Sequence, residues 1–220
     1  GFPLQVSGKP GFLQTKQLTK HFPLRGSDKV VQAVDKVTIS VAKGEAVGLV
    51  GESGSGKTTV GRCLMRLEHP TAGAVTLDGQ DITELGATAM RRMRSRMQIV
   101  FQDPFDSVNP RWTVANILDE PLRVHEGGNK AARKQRAVDA LKQVDLDPSM
   151  MMAKPRDLGA STLQRVNIAR ALICNPDFVV LDEPTSVLAP RARNSLIALL
   201  ARLQKELGIS YLFISHDLTT

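Results

Sequence analysis

The segment that most constrains this chain is Gly51-Glu52-Ser53-Gly54-Ser55-Gly56-Lys57-Thr58, which directly follows the short apolar run Ala46–Val50. It fits the pattern GxxxxGK[ST], whose fixed positions arise by chance in under about one per cent of chains this long. Glycines let successive backbone amides turn inward around an anion with no Cβ in the way. The helix that follows points its positive end at the same place. Lys57 then reaches the β- and γ-phosphates of a nucleotide, and the Thr58 hydroxyl ligates magnesium. An apolar strand, a glycine loop and a helix in that order predict a P-loop α/β core with a mostly parallel sheet.

The rest of the chain fits around that unit. Residues 1–11, rich in glycine and proline, read as a linker or tail. Strand-like runs extend from Phe12 to Phe22, Gln32 to Val41 and Ala74 to Leu77, the last closed by the Asp78-Gly79 turn. A helix is expected from Lys57 to about Glu68, stopped by Pro70. The basic run Arg91–Arg96 leads into a strand at Gln98–Phe101. Between about residues 104 and 160 charged helical patterns replace strands, with Ala137, Val138, Leu141 and Val144 on one face. A helix after Ser161 reaches Ile173, and Phe178–Leu181 is a continuous apolar strand. Leu196, Leu200, Leu203 and Leu207 form a helical stripe ended by Gly208, before a last strand at Ser210–Ile214. Asp182 and Glu183 close the apolar run, where open parallel sheets gather their ligands. Asp182 is expected to hold magnesium and Glu183 to polarise an attacking water.

Composition narrows the partners. Of 220 residues 42% are apolar and 23% charged, as in a globular chain, and no apolar run is long enough to span a bilayer. The formal charge of +7 favours an anionic partner. Aromatics are only 4%, so a base-stacking platform is disfavoured, and nucleic acid with it. The basic run reads as a solvated face or a contact for anionic lipid. Cys63 and Cys174 form no CxxC pair, which argues against a zinc site or disulfide framework and for a reducing compartment. No signal peptide is recognised, and the start at Gly1 suggests an excised or processed segment.

With these motifs in this order, the chain resembles the nucleotide-binding domain of an ABC transporter, from Phe12 onward. The stretches "KHFPLRG", "GLVGESGSGKTT" and "VFQDPFDSVNPR" are similar to the dipeptide and oligopeptide importer branch. The resemblance implies an ABC-type core over residues 12–220, with an N-terminal antiparallel β portion and a helical subdomain near 104–160. It makes Gly51–Thr58 a Walker A loop, with Thr59 beside it, and Phe178–Glu183 a Walker B strand. Phe22 stacks on adenine. Gln102 is the Q-loop glutamine and shares magnesium with Thr58 and Asp182. His216 is the switch histidine, acting with Glu183, Gln102 and Lys57 in hydrolysis. ATP and magnesium are the implied cofactors; the implied partners are a second nucleotide-binding domain and transmembrane permease subunits. The location is peripheral, on the cytoplasmic face of the inner membrane. Because family members usually continue with another strand and helix, the end at Thr220 suggests truncation.

Two departures from the family pattern stand out. Where the family's signature reads LSGGQ, this chain has Leu158-Gly159-Ala160-Ser161-Thr162. Where the family has SALD after Walker B, it has Ser186-Val187-Leu188-Ala189. Ser161 and Gln164 instead have capping-box spacing. In the family, signature amides and serine bind the γ-phosphate held by a partner's Walker A. Losing one such donor costs about 2.7–4 kcal/mol. The expectation is an asymmetric heterodimer or tandem half with one active and one weak site. The alternatives are a regulatory nucleotide-binding module with little hydrolysis, or a soluble non-transport ABC ATPase.

Overall fold

The computed structural model describes residues 11–23, 26, 30–50 and 57–215. The expected linker lies outside these residues except for Gly11. An antiparallel sheet comes first: β1 (Leu13–Pro23), β2 (Val30–Val37), β3 (Ser40–Val41), β5 (Ala72–Leu77) and β6 (Gln80–Asp81), in the order β2-β1-β5-β6 with β3 also on β1. The parallel sheet holds β4 (Ala46–Val50), β7 (Met97–Val100), β8 (Phe178–Asp182) and β9 (Ser210–Ser215) in the order β4-β9-β8-β7. Helices α1 (Lys57–Leu64), α2 (Ala87–Arg96), α3 (Val114–His125), α4 (Lys130–Gln143), α5 (Ala160–Leu172) and α6 (Pro190–Leu207) connect and cover them.

β8 explains why the core has two halves. All five of its residues are buried, as a central parallel strand requires. Alternation sends Phe178 and Val180 to one side, against α1 and the antiparallel sheet. Val179 and Leu181 face the other side, against residues of α3 to α6. β9 repeats the division, with Leu212 and Ile214 on the first side and Tyr211 on the second. Cys63 and Cys174 are free and buried, one in each half, and burial pushes each thiol up to about 11.

The turn at Asp78-Gly79 forms as read, with both residues at positive φ, 52° and 79°, joining β5 to β6. Two helical expectations shift. α1 stops at Leu64, four residues before Glu68, because Arg66 adopts φ 52° and the Leu67 and Arg66 amides fold back on the Arg62 and Cys63 carbonyls. The Arg66 guanidinium then donates to the Ile82 and Leu85 carbonyls and ties this end to the segment before α2. In α6 the buried stripe is Leu196, Leu199, Leu200 and Leu203. Leu207 is 42% exposed, since it lies in the last turn before Gly208 bends the chain away at φ 68°.

Candidate active site at the carboxyl edge of the parallel sheet

Register brings the predicted motifs to one edge. Val50, the last residue before the glycine loop, lies opposite Ser215. Asp182 lies opposite Ile214, and Val100 opposite Leu181. All the parallel strands therefore end at the same side, the place where such sheets hold ligands. Lys57 opens α1 at this edge, and the first turn of α1 contains no acidic residue to offset its positive end.

Lys57 is 5% exposed and Asp182 4% exposed. A buried ammonium must be compensated by charge, and the Glu183 carboxylate lies 3.8 Å from Lys57 Nζ. Glu183 is outside the strand, at φ 45°, a conformation uncommon for a residue with a side chain. Its amide donates to Ile214 O at 2.8 Å, and its carbonyl accepts from the Ser186 hydroxyl at 3.2 Å. Asp182 is the last residue of β8, and Glu183 is the first residue beyond it. At Glu183 the backbone turns sharply rather than continuing the strand.

The other predicted residues fall in different places. Gln102 is exposed, two residues beyond the end of β7. Phe22 belongs to the other sheet, in β1 opposite Val31, with Lys20 Nζ 5.1 Å from its ring centroid. Thr59 is half-buried in α1. Gly51, Glu52, Ser53, Gly54, Ser55, Gly56 and His216 lie outside the described residues, as does the Thr58 side chain.

A family profile described as ABC transporter matches residues 34–186. The chain belongs to the ABC transporter family. A candidate peptide-import ATP-binding protein of Brucella ovis is 47% identical over 206 residues, 94% of this chain and 64% of that protein. The oligopeptide transport ATP-binding protein AppF of Bacillus subtilis is 42% identical over 222 residues, 98% of this chain and 68% of the relative. The chain thus spans only part of the curated relatives it matches. Among solved structures, a dimeric ATP-binding cassette in a post-hydrolysis state bound to ADP and Pi has TM-score 0.84 at 29% identity, over 93% of this chain and 88% of that one. A Clostridium perfringens cassette, part of an ABC transporter complex, has TM-score 0.80 at 25% identity over 95% and 80% of the two chains.

In this ABC cassette the stretch expected to be a changed signature, residues 159–162, forms the start of α5. Gly159 is the N-cap, with no side chain to cap the helix, and Ala160, Ser161 and Thr162 make the first turn. The expected capping box is therefore absent. The first helical bond already runs from the Leu163 amide to Gly159 O, so Ser161 sits inside the helix, and the Gln164 side chain is engaged elsewhere. Ala189, where the family has aspartate, is likewise the uncapped N-cap of α6.

The sequence reading missed a row of polar residues in the middle of α5. Gln164 Nε2 donates to Phe101 O at 3.1 Å and to Pro184 O at 2.8 Å. Asn167 Nδ2 donates to Pro104 O at 3.0 Å, and Arg170 Nη1 to Ser107 O at 2.8 Å. Burial pulls the Arg170 guanidinium below its ordinary range. Every third residue of the helix meets every third carbonyl of the loop carrying Gln102. The available signal was the 164/167/170 spacing of polar residues among the apolar residues Leu163, Val166, Ile168, Ala169 and Ala171.

Proposed function

We propose that this chain binds ATP with magnesium and hydrolyses it to energise an ABC transporter of the peptide-import type. The observation that carries the reading is the pair formed by buried Lys57 and half-buried Glu183, 3.8 Å apart, at the shared carboxyl edge of the parallel strands. Lys57 neutralises phosphate charge, and a γ-phosphate drawing on that charge releases Glu183 to orient water for in-line attack. His216 stabilises the γ-phosphate, Gly51–Thr59 surround the phosphates and Phe22 stacks on adenine.

The donor set suits magnesium. Among the described residues no three His, Cys, Asp or Glu side chains cluster to hold a metal. A cation beside Asp182 would draw its other ligands from amide, hydroxyl and phosphate oxygens, the hard donors magnesium prefers. Thr58, Gln102 and Asp182 would hold it, and when bound it supplies charge neutralisation across the phosphates.

Residues 12–220 act as one ATPase domain with a helical subdomain near 104–160. The peptide substrate class is supported by the names of the relatives. Pairing with a second nucleotide-binding domain is supported by the dimeric cassette of the same fold. The changed signature at Gly159–Thr162 makes that pairing asymmetric: the ATP on this chain's Walker A turns over, and the one facing α5 is slow. Contact with permease subunits through residues 102–111 is supported by Phe105, a large apolar side chain 43% exposed there. No helix of the described residues is long and apolar enough to cross a membrane, which fits a peripheral subunit on the cytoplasmic face.

A second reading, a regulatory module that binds ATP and barely hydrolyses it, is favoured by Gly159 and Ala189 at the starts of α5 and α6. Calorimetry with MgATP and single-turnover hydrolysis on the complex with its cognate partner test both. Saturable heat with hydrolysis is expected, with Lys57→Ala weakening binding about tenfold or more, roughly 1.4 kcal/mol. Heat without turnover selects the regulatory module; no heat removes both readings.

A further inference from the structure

Gln164 is fully buried, and a primary amide has two N–H donors. Both are committed, one to Phe101 O and one to Pro184 O. Its Oε1 is buried without a hydrogen-bond partner. Flipping the amide would set that oxygen against two carbonyl oxygens, so the network fixes the assignment. A leucine or methionine would fill the same space without an orphaned acceptor. The value of glutamine here therefore lies in its two donors.

Their targets flank two residues of the proposed site. Phe101 immediately precedes Gln102, and Pro184 immediately follows Glu183. Glu183 holds φ 45°, a strained setting that persists only where neighbouring structure fixes it on both sides. On one side its own amide is held by Ile214 O; on the other, Pro184 is held by Gln164. Proline has no N–H of its own, so its carbonyl is the anchor available at that step.

We propose that Gln164 is a positioning residue, one side-chain amide that fixes the Gln102 loop and the Glu183 turn relative to each other. This rests on the hydrolytic reading of the site. Gln164 acts on turnover rather than nucleotide affinity, because its bonds go to these two loops and not to the phosphate loop. Asn167, in the same helix with the same type of bond, reaches only Pro104 O, farther along the loop, and is the internal control.

The test uses the full protein with its cognate partner subunits. Gln164→Met should lower kcat for ATP about tenfold or more, with KM changed by less than about twofold, since small misplacements of reacting groups are costly. Asn167→Leu should leave kcat within about threefold. In Gln164→Glu the buried carboxyl regains one donor when protonated and repels both carbonyls when ionised. Its activity relative to wild type should therefore rise as pH is lowered. Amide exchange should accelerate around residues 101–103 and 183–186 in Gln164→Met, but only around 104 in Asn167→Leu. Unchanged kcat in Gln164→Met, or an equal loss in Asn167→Leu, overturns the proposal; should Gln164→Met not fold, a Gln164→Glu profile parallel to wild type does so. If the wild-type assembly hydrolyses no ATP, the hydrolytic reading fails by itself, and unchanged exchange in both loops would overturn the positioning role separately.

Discussion

At the carboxyl edge of the parallel sheet Lys57 and Asp182 are buried and Glu183 is held by Ile214 O, whereas α5 and α6 begin at Gly159 and Ala189 with no capping side chain. The contrast is not one of helix quality in general. α3 and α4 begin conventionally: Thr113 Oγ1 accepts from the Asn116 amide at 3.2 Å, and Asn129 Oδ1 from the Ala132 amide at 2.8 Å. Gly159 and Ala189 are exposed helix starts, while Ala160, Ser161 and Thr162 are half-buried and Ala160 packs against the core. The edge with Lys57 and Asp182 shapes the fold as well as the chemistry proposed for it. On the proposed function, a partner chain would read the helix starts, and this chain's own nucleotide would use the edge.

The largest expected effect breaks the buried side of the comparison. Glu183→Gln keeps size and hydrogen-bonding shape but removes the charge facing Lys57. Turnover in the assembled complex should fall on the order of a hundredfold or more, with ATP affinity preserved. Unchanged turnover would mean that water is oriented by another group. Next comes Gly159→Ser on the exposed side. A Cβ at Gly159 meets no atom within 4 Å, so the hydroxyl enters without repacking. If α5 serves a partner's γ-phosphate, turnover of the complex should rise about tenfold or more. Serine improves on glycine as an N-cap by only a few tenths of a kcal/mol, so stability would barely change. A rise in melting temperature without a rise in rate would make the position merely structural.

Local chemistry made the first side readable from sequence. The run Phe178–Leu181 ends in two acids, and the glycine loop follows another apolar run; each is written within a few consecutive residues. Their convergence follows once the strands are parallel. The Asp78-Gly79 turn was legible for the same reason. What stayed hidden depends on distant partners or on backbone geometry. The positive φ of Arg66 shortens α1, and that of Glu183 turns the acid toward Lys57. Gln164 looked like half of a capping box because spacing alone cannot reveal carbonyls at Phe101 and Pro184, brought close only by the fold.

The smallest effect sharpens the exposed side. Ala189 has φ −63° and ψ 154°, the extended setting of an N-cap, and Pro190 follows at the first helical position. The backbone is thus already arranged for a capping side chain that alanine cannot supply. Ala189→Asp should accept from an amide of the first turn of α6, where no acidic residue yet meets the helix dipole. The gain should be about 1 kcal/mol, or roughly 2–4 °C in Tm for a chain of this size. Asn129→Ala, the reverse change at a capped start, should lose a similar amount. Matching shifts of opposite sign would mean that the missing aspartate costs this chain stability as well as any dialogue with a partner. If Ala189→Asp alters coupling between two nucleotide sites while Tm stays fixed, the start of α6 is shaped by the partner and not by the helix.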